Sequence, residues 1–168
     1  MPPMNKEQLN QFLKRPLIAK IATLLRDGSP TITPIWFEWN ERSRTFLLWA
    51  RKGYGGVNAG WYDNLRGKQQ VALLVDESSE LNPKHDRVLA IGKAKILRIP
   101  KNWLDIQLRM TRRYVGRIKT QEYLATMPNA PGGWVTVVPN RVISWTEAEN
   151  INMWHERYLQ AGGKPVYR

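Results

Sequence analysis

The sequence of 168 residues predicts a mainly β fold: a partly closed antiparallel barrel with short helices at its rim. Three observations support this class. Short stretches rich in β-branched and aromatic residues recur along the chain, turn-forming residues separate them, and helical periodicity is confined to a few segments. No internal repeat or linker divides the chain, and its length suits one hydrophobic core. We therefore expect a single domain over residues 1–168 with helical extensions at its N- and C-termini.

The N-terminal part predicts a short helix followed by a β-hairpin. Asn5 and Gln8 have the spacing of a capping box, and a proline ends the helix that follows. The apolar stretch 17–25 predicts a first strand, residues 26–29 a tight turn, and residues 31–39 a second strand. The second strand carries apolar side chains on both faces, so both need cover, one of them from a subunit or a ligand.

The rest of the chain predicts further strands and helices. Residues 45–51 predict a third strand, which gives the first half the pattern of an antiparallel meander. The remaining predicted elements are a helix at 61–66, strands at 71–75 and 87–97, helices at 101–116 and 120–127, a hairpin of strands 135–138 and 141–145 around Pro139-Asn140, and a terminal helix from Asn152 to Gly162.

Charge is the most informative bulk property of the sequence. Lys and Arg total 26 against 14 Asp and Glu, which gives a net charge of +12 at pH 7. Such a field attracts anions, whether nucleic acid, an acidic membrane or a phosphorylated small molecule. Charge alone does not choose among these partners.

Other features exclude whole classes of site. Cysteine is absent, so disulfides, thiolate nucleophiles and Cys-based metal sites are excluded, and the two histidines have no spacing that predicts a metal site. The sequence has no signal-like leader and no run of about 18 apolar residues. We therefore expect a cytoplasmic protein that does not cross a membrane.

A glycine-rich segment at residues 52–60 follows the predicted third strand and two cations, Arg51 and Lys52. Glycines let backbone N–H groups approach an anion. The segment fails two familiar phosphate-binding fingerprints: Trp61 and Tyr62 stand where a P-loop needs Lys and Ser or Thr, and no G-x-G-x-x-G match occurs. Two interpretations stay open: a general anion-binding loop, or a sharp turn beside solvated cations.

Eight tryptophans are many for a chain of this length. Trp36, Trp39 and Trp49 lie in predicted strands, where they either pack in the core or stack on a flat heterocycle or a base. We expect at least half of the eight to lie in the core.

Taken in order, several segments resemble the pyridoxamine 5'-phosphate oxidase-like flavin-binding proteins. The resemblance extends from Leu17 to Trp145, which is most of the chain. Its most specific part is the hairpin, A-T-L-x-x-D-G-x-P followed by P-x-W-F. An N-L pair precedes the next strand. The other matching segments are TFLLWAR, DNLR leading into VALLVD, RVLAIGKAKIL and RVISW.

This resemblance implies a split barrel of the FMN-binding type, a homodimer, and a flavin mononucleotide (FMN) held between the subunits. It also implies candidate cofactor-binding residues. For the flavin ring the candidates are Thr33, Pro34, Ile35 and Trp36, with Tyr54 as a further candidate for covering the ring. For the phosphate they are Arg51, Lys52, Asn64 and Arg66.

Two departures separate this chain from the family pattern. Many relatives carry a Lys three residues before the N-L pair, whereas this chain has Trp61, so the usual phosphate contact must differ or be lost. The chain closes with GGKPVYR instead of the basic Arg-Leu-x-Pro ending of true pyridoxamine-phosphate oxidases. The second departure argues against vitamin B6 phosphate as the substrate.

The function that the resemblance implies is a flavin-dependent oxidoreductase acting on a small molecule, with no catalytic residue identified. The alternatives are a deazaflavin-dependent reductase and a non-catalytic flavin-binding protein. A basic RNA-binding barrel is the least favoured alternative, because the cations are spread along the chain and no RNA-binding signature occurs. We expect the basic helical cluster of Arg109, Arg112 and Arg113 to face solvent.

Overall fold

A computed structural model describes residues 3–51, 59–77, 86–126 and 131–146, together with Gln160 and Gly162. Lys52, Tyr54 and most of the predicted terminal helix lie outside these residues. The described elements, in chain order, are α1 (Lys6–Leu13), β1 (Ala19–Leu24), β2 (Pro30–Ile35), β3 (Phe37–Asn40), β4 (Thr45–Ala50), α2 (Gly60–Asn64), β5 (Gln70–Asp76), β6 (Arg87–Leu97), α3 (Trp103–Ala125) and β7 (Gly133–Trp145).

The seven described strands form one antiparallel sheet in the order β2-β1-β5-β6-β7-β4-β3. β2 and β3 lie at opposite ends of this order, although only Trp36 separates them in the chain. The sheet must therefore curl until its two edges meet, and the chain crosses the seam between them at Trp36. This arrangement confirms the predicted split antiparallel barrel.

The elements before the seam form where the sequence predicts them, because their local signals agree. Asn5 and Gln8 make the capping box of α1, with each side-chain oxygen accepting the other residue's backbone N–H at 2.9 Å. In the turn between β1 and β2, Leu25 N–H donates to the carbonyl of Ser29 at 2.9 Å. Gly28 in this turn has a φ of +94°, a conformation that favours glycine.

The single strand predicted at residues 31–39 is wrong, and with it the continuous meander. β2 pairs with β1 and β3 pairs with β4, but the two halves of the segment join different edges of the sheet. Buried and more exposed side chains keep alternating through the crossing, since Ile35, Phe37 and Trp39 are all buried. The sequence pattern is therefore that of one strand, while the pairing is that of two.

The hairpin predicted around Pro139-Asn140 is also wrong, because both of its halves belong to β7 and pair with β6. Ile91 pairs with Arg141 and Gly92 with Pro139, so Asn140 is the extra residue of a β-bulge. The two backbones approach closely there: a Cβ added to Gly92 would lie 2.2 Å from the carbonyl oxygen of Val138.

Two apolar clusters pack on opposite faces of the sheet. The larger fills the barrel interior and includes Phe46, Leu48 and Val135. The smaller lies outside, where α3 covers β4 and β7, and its buried members are Trp49, Ile106, Met110 and Trp134. Among the described residues, the buried tryptophans are Trp39, Trp49, Trp61 and Trp134, which confirms that at least half of the eight lie in the core.

The long helix α3 bends at Gly116, whose φ of +78° is not helical. The predicted break between two helical segments is confirmed, but the second segment follows Gly116 directly. Thr120, where this segment was predicted to begin, lies inside it, and its hydroxyl donates to the carbonyl of Gly116 at 2.6 Å. None of the helices that the structure describes is long and apolar enough to span a bilayer.

The predicted solvated face of α3 is confirmed for Arg109 and Arg112, which are exposed, and is wrong for Arg113. Arg109 forms a bidentate ion pair with Glu38 of β3, at 2.8 and 2.9 Å. Arg113 is half-buried, lies over the Phe37 ring and donates to the carbonyl of Leu13 at 2.9 Å. These contacts tie α3 to β3 and to the end of α1.

Candidate functional site

The candidate residues fall along one edge and around one end of the barrel. β2 is an edge strand that pairs with β1 alone in the sheet. The end of α2 is hydrogen-bonded to Thr23 and Thr31, beside the turn at 26–29, and α2 also reaches the end of β4. The turn and the end of β4 therefore share one end of the barrel. α2 packs across this end, with the Tyr62 ring against Gly133, the pairing partner of Ala50.

The candidate ring-binding segment, residues 33–36 at the end of β2, presents different side chains to the two faces of the sheet. Thr33 and Ile35 lie opposite buried residues of β1 and face the barrel interior. Ile32 and Pro34 face outward and are exposed, Ile32 to 71%. An edge strand also has unpaired backbone N–H and C=O groups along its free side. This segment can therefore offer both backbone hydrogen bonds and an apolar side to a flat ligand.

Trp36, the last ring candidate, packs against α3. Its ring stacks on that of Tyr114 with centroids 4.8 Å apart and an interplanar angle of 4°, and the Tyr123 ring lies 5.2 Å away. Trp36 remains half-exposed. Its position is thus fixed by the two tyrosines at the seam.

Tyr114 is a residue of this region that sequence reasoning did not single out. Its hydroxyl accepts the N–H of Phe37 at 3.0 Å and lies 3.1 Å from the carbonyl of Leu17, to which it can donate. Leu17 precedes β1 and Phe37 begins β3, so this hydroxyl joins the two sides of the seam. Burial raises the pKa of Tyr114 above its ordinary value, which keeps the hydroxyl protonated. The signal in the sequence was its helical spacing from Met110, which puts both residues on one face of the predicted helix 101–116.

Asn64 and Arg66 line one groove of about 460 Å³ between the β1–β2 turn and the end of α2. Arg26 and Lys68 line it as well, and we call it the basic groove. Its charged lining consists of these three cations and Asp63. Arg26 and Lys68 were not predicted, because they come from separate parts of the chain that only the fold brings together.

The two predicted residues of the groove differ in how firmly their side chains are held. The Asn64 amide donates to the hydroxyl of Thr23 at 3.0 Å and lies 3.4 Å from that of Thr31, which holds α2 against β1 and β2. The Arg66 side chain is 65% exposed, its Nε lies 3.4 Å from Asp63, and its guanidinium lies over the Tyr62 ring. Asn64 is therefore fixed, while Arg66 is able to swing toward an anion.

Arg51 and Trp61 do not belong to the groove lining. The Arg51 guanidinium donates to the carbonyl of Thr126, at the C-terminal end of α3, at 3.3 Å. Trp61 is 5% exposed in the core, so the position where many relatives carry Lys supplies packing and no charge. The structure thus brings together two of the predicted phosphate residues, Asn64 and Arg66, and separates Arg51 from their lining.

No group of three His, Cys, Asp or Glu side chains in the described ranges could hold a metal ion. The side-chain hydrogen-bond donors of the basic groove are guanidinium, ammonium and amide groups, which suit an anion, and Asp63 adds one carboxylate to its lining.

Solved structures share this fold. A conserved hypothetical protein from Mycobacterium tuberculosis superposes with a TM-score of 0.65 and 21% identity over 84% of each chain. An FAD-binding protein from Mesorhizobium loti has a TM-score of 0.59 and 13% identity, covering 88% of this chain and 98% of that one. An F420 reductase has a TM-score of 0.56 and 22% identity, covering 79% and 94%. No curated protein sequence matches the chain.

The family assignment comes from the sequence match and agrees with the fold. The model of the pyridoxamine 5'-phosphate oxidase family matches residues 5–154, from the cap of α1 to beyond the end of β7. The seam at Trp36, the edge strand β2 and the basic groove all lie inside this range. The chain therefore belongs to the pyridoxamine 5'-phosphate oxidase family.

Proposed function

We propose that this protein binds FMN between the two subunits of a homodimer and acts as a flavin-dependent oxidoreductase on a small molecule. The observation that carries the proposal is the placement of the basic groove at the start of β2, an edge strand with an exposed apolar side. One ligand with an anionic group and a flat apolar ring would use both features.

The residues of the site fit such a ligand chemically. A phosphate is a strong acceptor that guanidinium and amide donors bind well, and Asn64, Arg66 and Arg51 offer these donors at one end of the barrel. Backbone groups along residues 33–36 and the outward side of β2 suit a flat ring. A bound flavin would supply the hydride-transfer chemistry. The protein's part is to orient the ring, exclude water and stabilise negative charge with its cations.

The outer face of the sheet supports the homodimer. Outward-facing apolar residues continue from β2 across β1, β5, β6 and β7, and none of them is fully buried within one chain. We call this the outer apolar face; its members are Ala22, Ile32, Pro34, Ala72, Leu74, Leu89, Ile91 and Ile143. Lys20 interrupts one row of this face, between Pro34 and Leu74, but a partly exposed apolar surface that extends over five strands typically marks a subunit interface.

The first test is the absorption spectrum of freshly purified protein, followed by mass analysis of whatever denaturation releases and by titration with FMN. We expect a flavin spectrum or saturable uptake of FMN. A reduced nicotinamide should reduce the bound flavin, and turnover should follow when an acceptor is present to reoxidise it. Saturable uptake without turnover would favour a non-catalytic flavin-binding protein. Absence of both bound flavin and uptake would contradict the proposal.

A deazaflavin-dependent reductase is the second candidate, and the likeness to an F420 reductase favours it. The deazaflavin coenzyme also combines a flat ring with a phosphate, so the same residues would serve it. Parallel titrations with FMN and with the deazaflavin coenzyme distinguish the two. The cofactor that binds more tightly, and whose reduced form turns over, identifies the class.

A further inference from the structure

We propose that a cavity at the other end of the barrel, away from the basic groove, binds a small amphipathic carboxylate, which is a molecule with one anionic head and an apolar body. We call it the α1 cavity, because the start of α1 forms one of its walls. Its volume of about 430 Å³ is in the range of small-molecule sites. This inference goes beyond the proposed function and does not depend on a flavin.

The α1 cavity lies between α1, the turn that joins β3 to β4, and the last part of β7. β4 pairs with β7 only over residues 133–137, so the later part of β7 has a described strand on one side only, namely β6. Val142 and Ile143 are neighbours that point to opposite faces of this strand, yet both line the cavity, as expected where a cavity opens onto a strand edge. The N–H of Met4 donates to the Ser144 hydroxyl at 3.2 Å and joins the chain before α1 to this edge.

The α1 cavity and the basic groove lie at opposite ends of β4. The groove lies at the end of the barrel where β4 ends, whereas Glu41 and Arg44, which line the cavity, belong to the turn that precedes β4. The two have no lining residue in common. A ligand in the cavity would therefore not occupy the phosphate position proposed for the flavin.

A buried amide with an unused donor points to a ligand in the cavity. Asn10 lines the cavity and is 8% exposed. Its side-chain oxygen accepts the Trp39 indole N–H at 2.9 Å, which fixes the orientation of the amide. The NH₂ group of the same amide has no acceptor among the residues that the structure describes. A buried donor without an acceptor is costly, and the carboxylate of a ligand would supply the acceptor.

The charges around the cavity favour an anionic head. Lys6 and Arg44 line it and are exposed, and neither forms an ion pair with another described residue. The carboxylate in the lining, Glu41, is already paired with Lys14 at 2.7 Å. Two cations are therefore available at the mouth of the cavity to attract an acid.

The inner wall of the cavity favours an apolar body. Leu9 is buried there, and Met4 and Val142 pack against the barrel core. A sugar or another polar body would lose hydration against these side chains without gaining hydrogen bonds from them. The cavity thus combines an apolar wall, one buried donor and a cationic mouth, which together match an amphipathic carboxylate.

The test is titration of the full-length protein with octanoate, octanol and octylamine, each below the concentration at which it self-associates. These probes share one apolar body and differ only in whether the head is anionic, neutral or cationic. Binding is followed by NMR through the side-chain NH₂ signals of Asn10 and the indole N–H signal of Trp39, which are hydrogen-bonded neighbours in the cavity wall. We expect octanoate to shift both signals saturably and to bind about tenfold more tightly than octanol, because a hydrogen bond to a charged group is the stronger one. Octylamine should bind most weakly.

A variant of Asn10 tests the buried donor. Asn10→Asp keeps a side-chain oxygen that can accept the Trp39 N–H and replaces the NH₂ donor with a negatively charged oxygen. The affinity for octanoate should fall at least about tenfold, because the head loses a charge-assisted hydrogen bond and meets a like charge. The affinity for octanol should fall less.

A variant of Arg44 tests the cationic mouth without a risk to folding. Arg44 has a φ of +53°, a left-handed conformation that suits glycine, so Arg44→Gly should be at least as stable as the wild type. Its affinity for octanoate should fall by up to about fivefold, the usual range of an exposed ion contact. Arg42→Gly is the matched control, since it removes a cation of the same turn that does not line the cavity, and it should bind octanoate like the wild type.

Three results would overturn the inference. Octanoate that shifts neither the Asn10 nor the Trp39 signal would show that the cavity does not bind such a molecule. Equal affinities for the three probes would mean that only the apolar body is recognised. Equal losses in Arg44→Gly and Arg42→Gly would mean that the general charge of the turn attracts the anion and that the cavity does not.

Discussion

Asn10 shows how one buried polar side chain ties α1 to the barrel. Its side-chain oxygen accepts the indole N–H of Trp39 at 2.9 Å, and both residues are buried. The substitution Asn10→Ala would leave that N–H without a partner, so we expect the free energy of unfolding to fall by about 1–3 kcal/mol. Urea titration measures this loss. Gln11→Ala, at the exposed neighbouring position, is the control and should change stability by less than about 0.5 kcal/mol.

Tyr114 gives a prediction about pH. Burial raises its pKa in the folded protein above the ordinary value of 10.0, so folding favours the neutral hydroxyl. This contribution to stability is fully present below about pH 10 and is lost as the pH rises through the folded pKa. The substitution Tyr114→Phe should therefore flatten the loss of stability above pH 10, which unfolding titrations between pH 7 and 11 would detect.

The same substitution should lower stability at pH 7 by about 1–3 kcal/mol, because Phe37 N–H loses its acceptor at the seam. Tyr123→Phe keeps the other ring that packs on Trp36 and serves as the control. Identical alkaline profiles for the wild type and Tyr114→Phe would mean that Tyr114 does not contribute to the pH dependence.

At the scale of elements, the bulge between β6 and β7 depends on Gly92. A Cβ there would come within 2.2 Å of the Val138 carbonyl and 2.7 Å of Pro139 Cα, both of which are backbone atoms. Gly92→Ala should therefore destabilise the protein by about 1–3 kcal/mol through forced separation of the strands. Thermal unfolding would measure the shift in Tm.

Gly60→Ala is the matched control, since a Cβ at this position of α2 meets nothing within 4 Å. Alanine is the better helix former, so this variant should be neutral or more stable by up to about 1 kcal/mol. A Gly92→Ala variant as stable as Gly60→Ala would mean that the two strands can separate at little cost.

Elements with strong local signals were predictable, and those defined by pairing were not. The capping box at Asn5 and the turn at Gly28 are local, and both are confirmed. Residues 31–39 have one uninterrupted strand pattern, so nothing local reveals that Trp36 joins opposite edges of the sheet. Pro139-Asn140 has turn chemistry, but in the fold it makes a bulge.

The candidate site shows the same division. Asn64 and Arg66 follow from the family resemblance, and the structure places them in one groove. Arg26 and Lys68 are remote from each other in the chain and carry no motif, so only the packing of α2 against the β1–β2 turn brings them together. The sequence pattern does not reveal contacts between segments that are distant in the chain.

For the whole molecule, the outer apolar face predicts the oligomeric state. Ile32 is 71% exposed in one chain and lies at the edge of this face. We expect the wild type to be a dimer by light scattering, and Ile32→Asp to be a monomer, because a charge in an apolar interface is costly. If FMN binds between subunits, the same variant should lose affinity for it.

Ile118→Asp controls for adding a charge at an exposed apolar residue, since Ile118 is 91% exposed on α3, outside the outer apolar face. This variant should stay dimeric and keep its affinity for FMN. A dimer unaffected by Ile32→Asp would place the interface elsewhere, and a monomeric wild type would contradict the homodimer.

The position of β7 in the sheet also governs when the barrel can form during protein synthesis. β7 is the last described strand in the chain, yet it lies between β6 and β4 and joins the β2-β1-β5-β6 group to the β4-β3 hairpin. Until residues 133–145 have left the ribosome, β4 and β6 each expose an edge that other chains could pair with. Closure of the barrel is therefore a late event, and a nascent chain truncated before β7 should depend on chaperones to avoid aggregation.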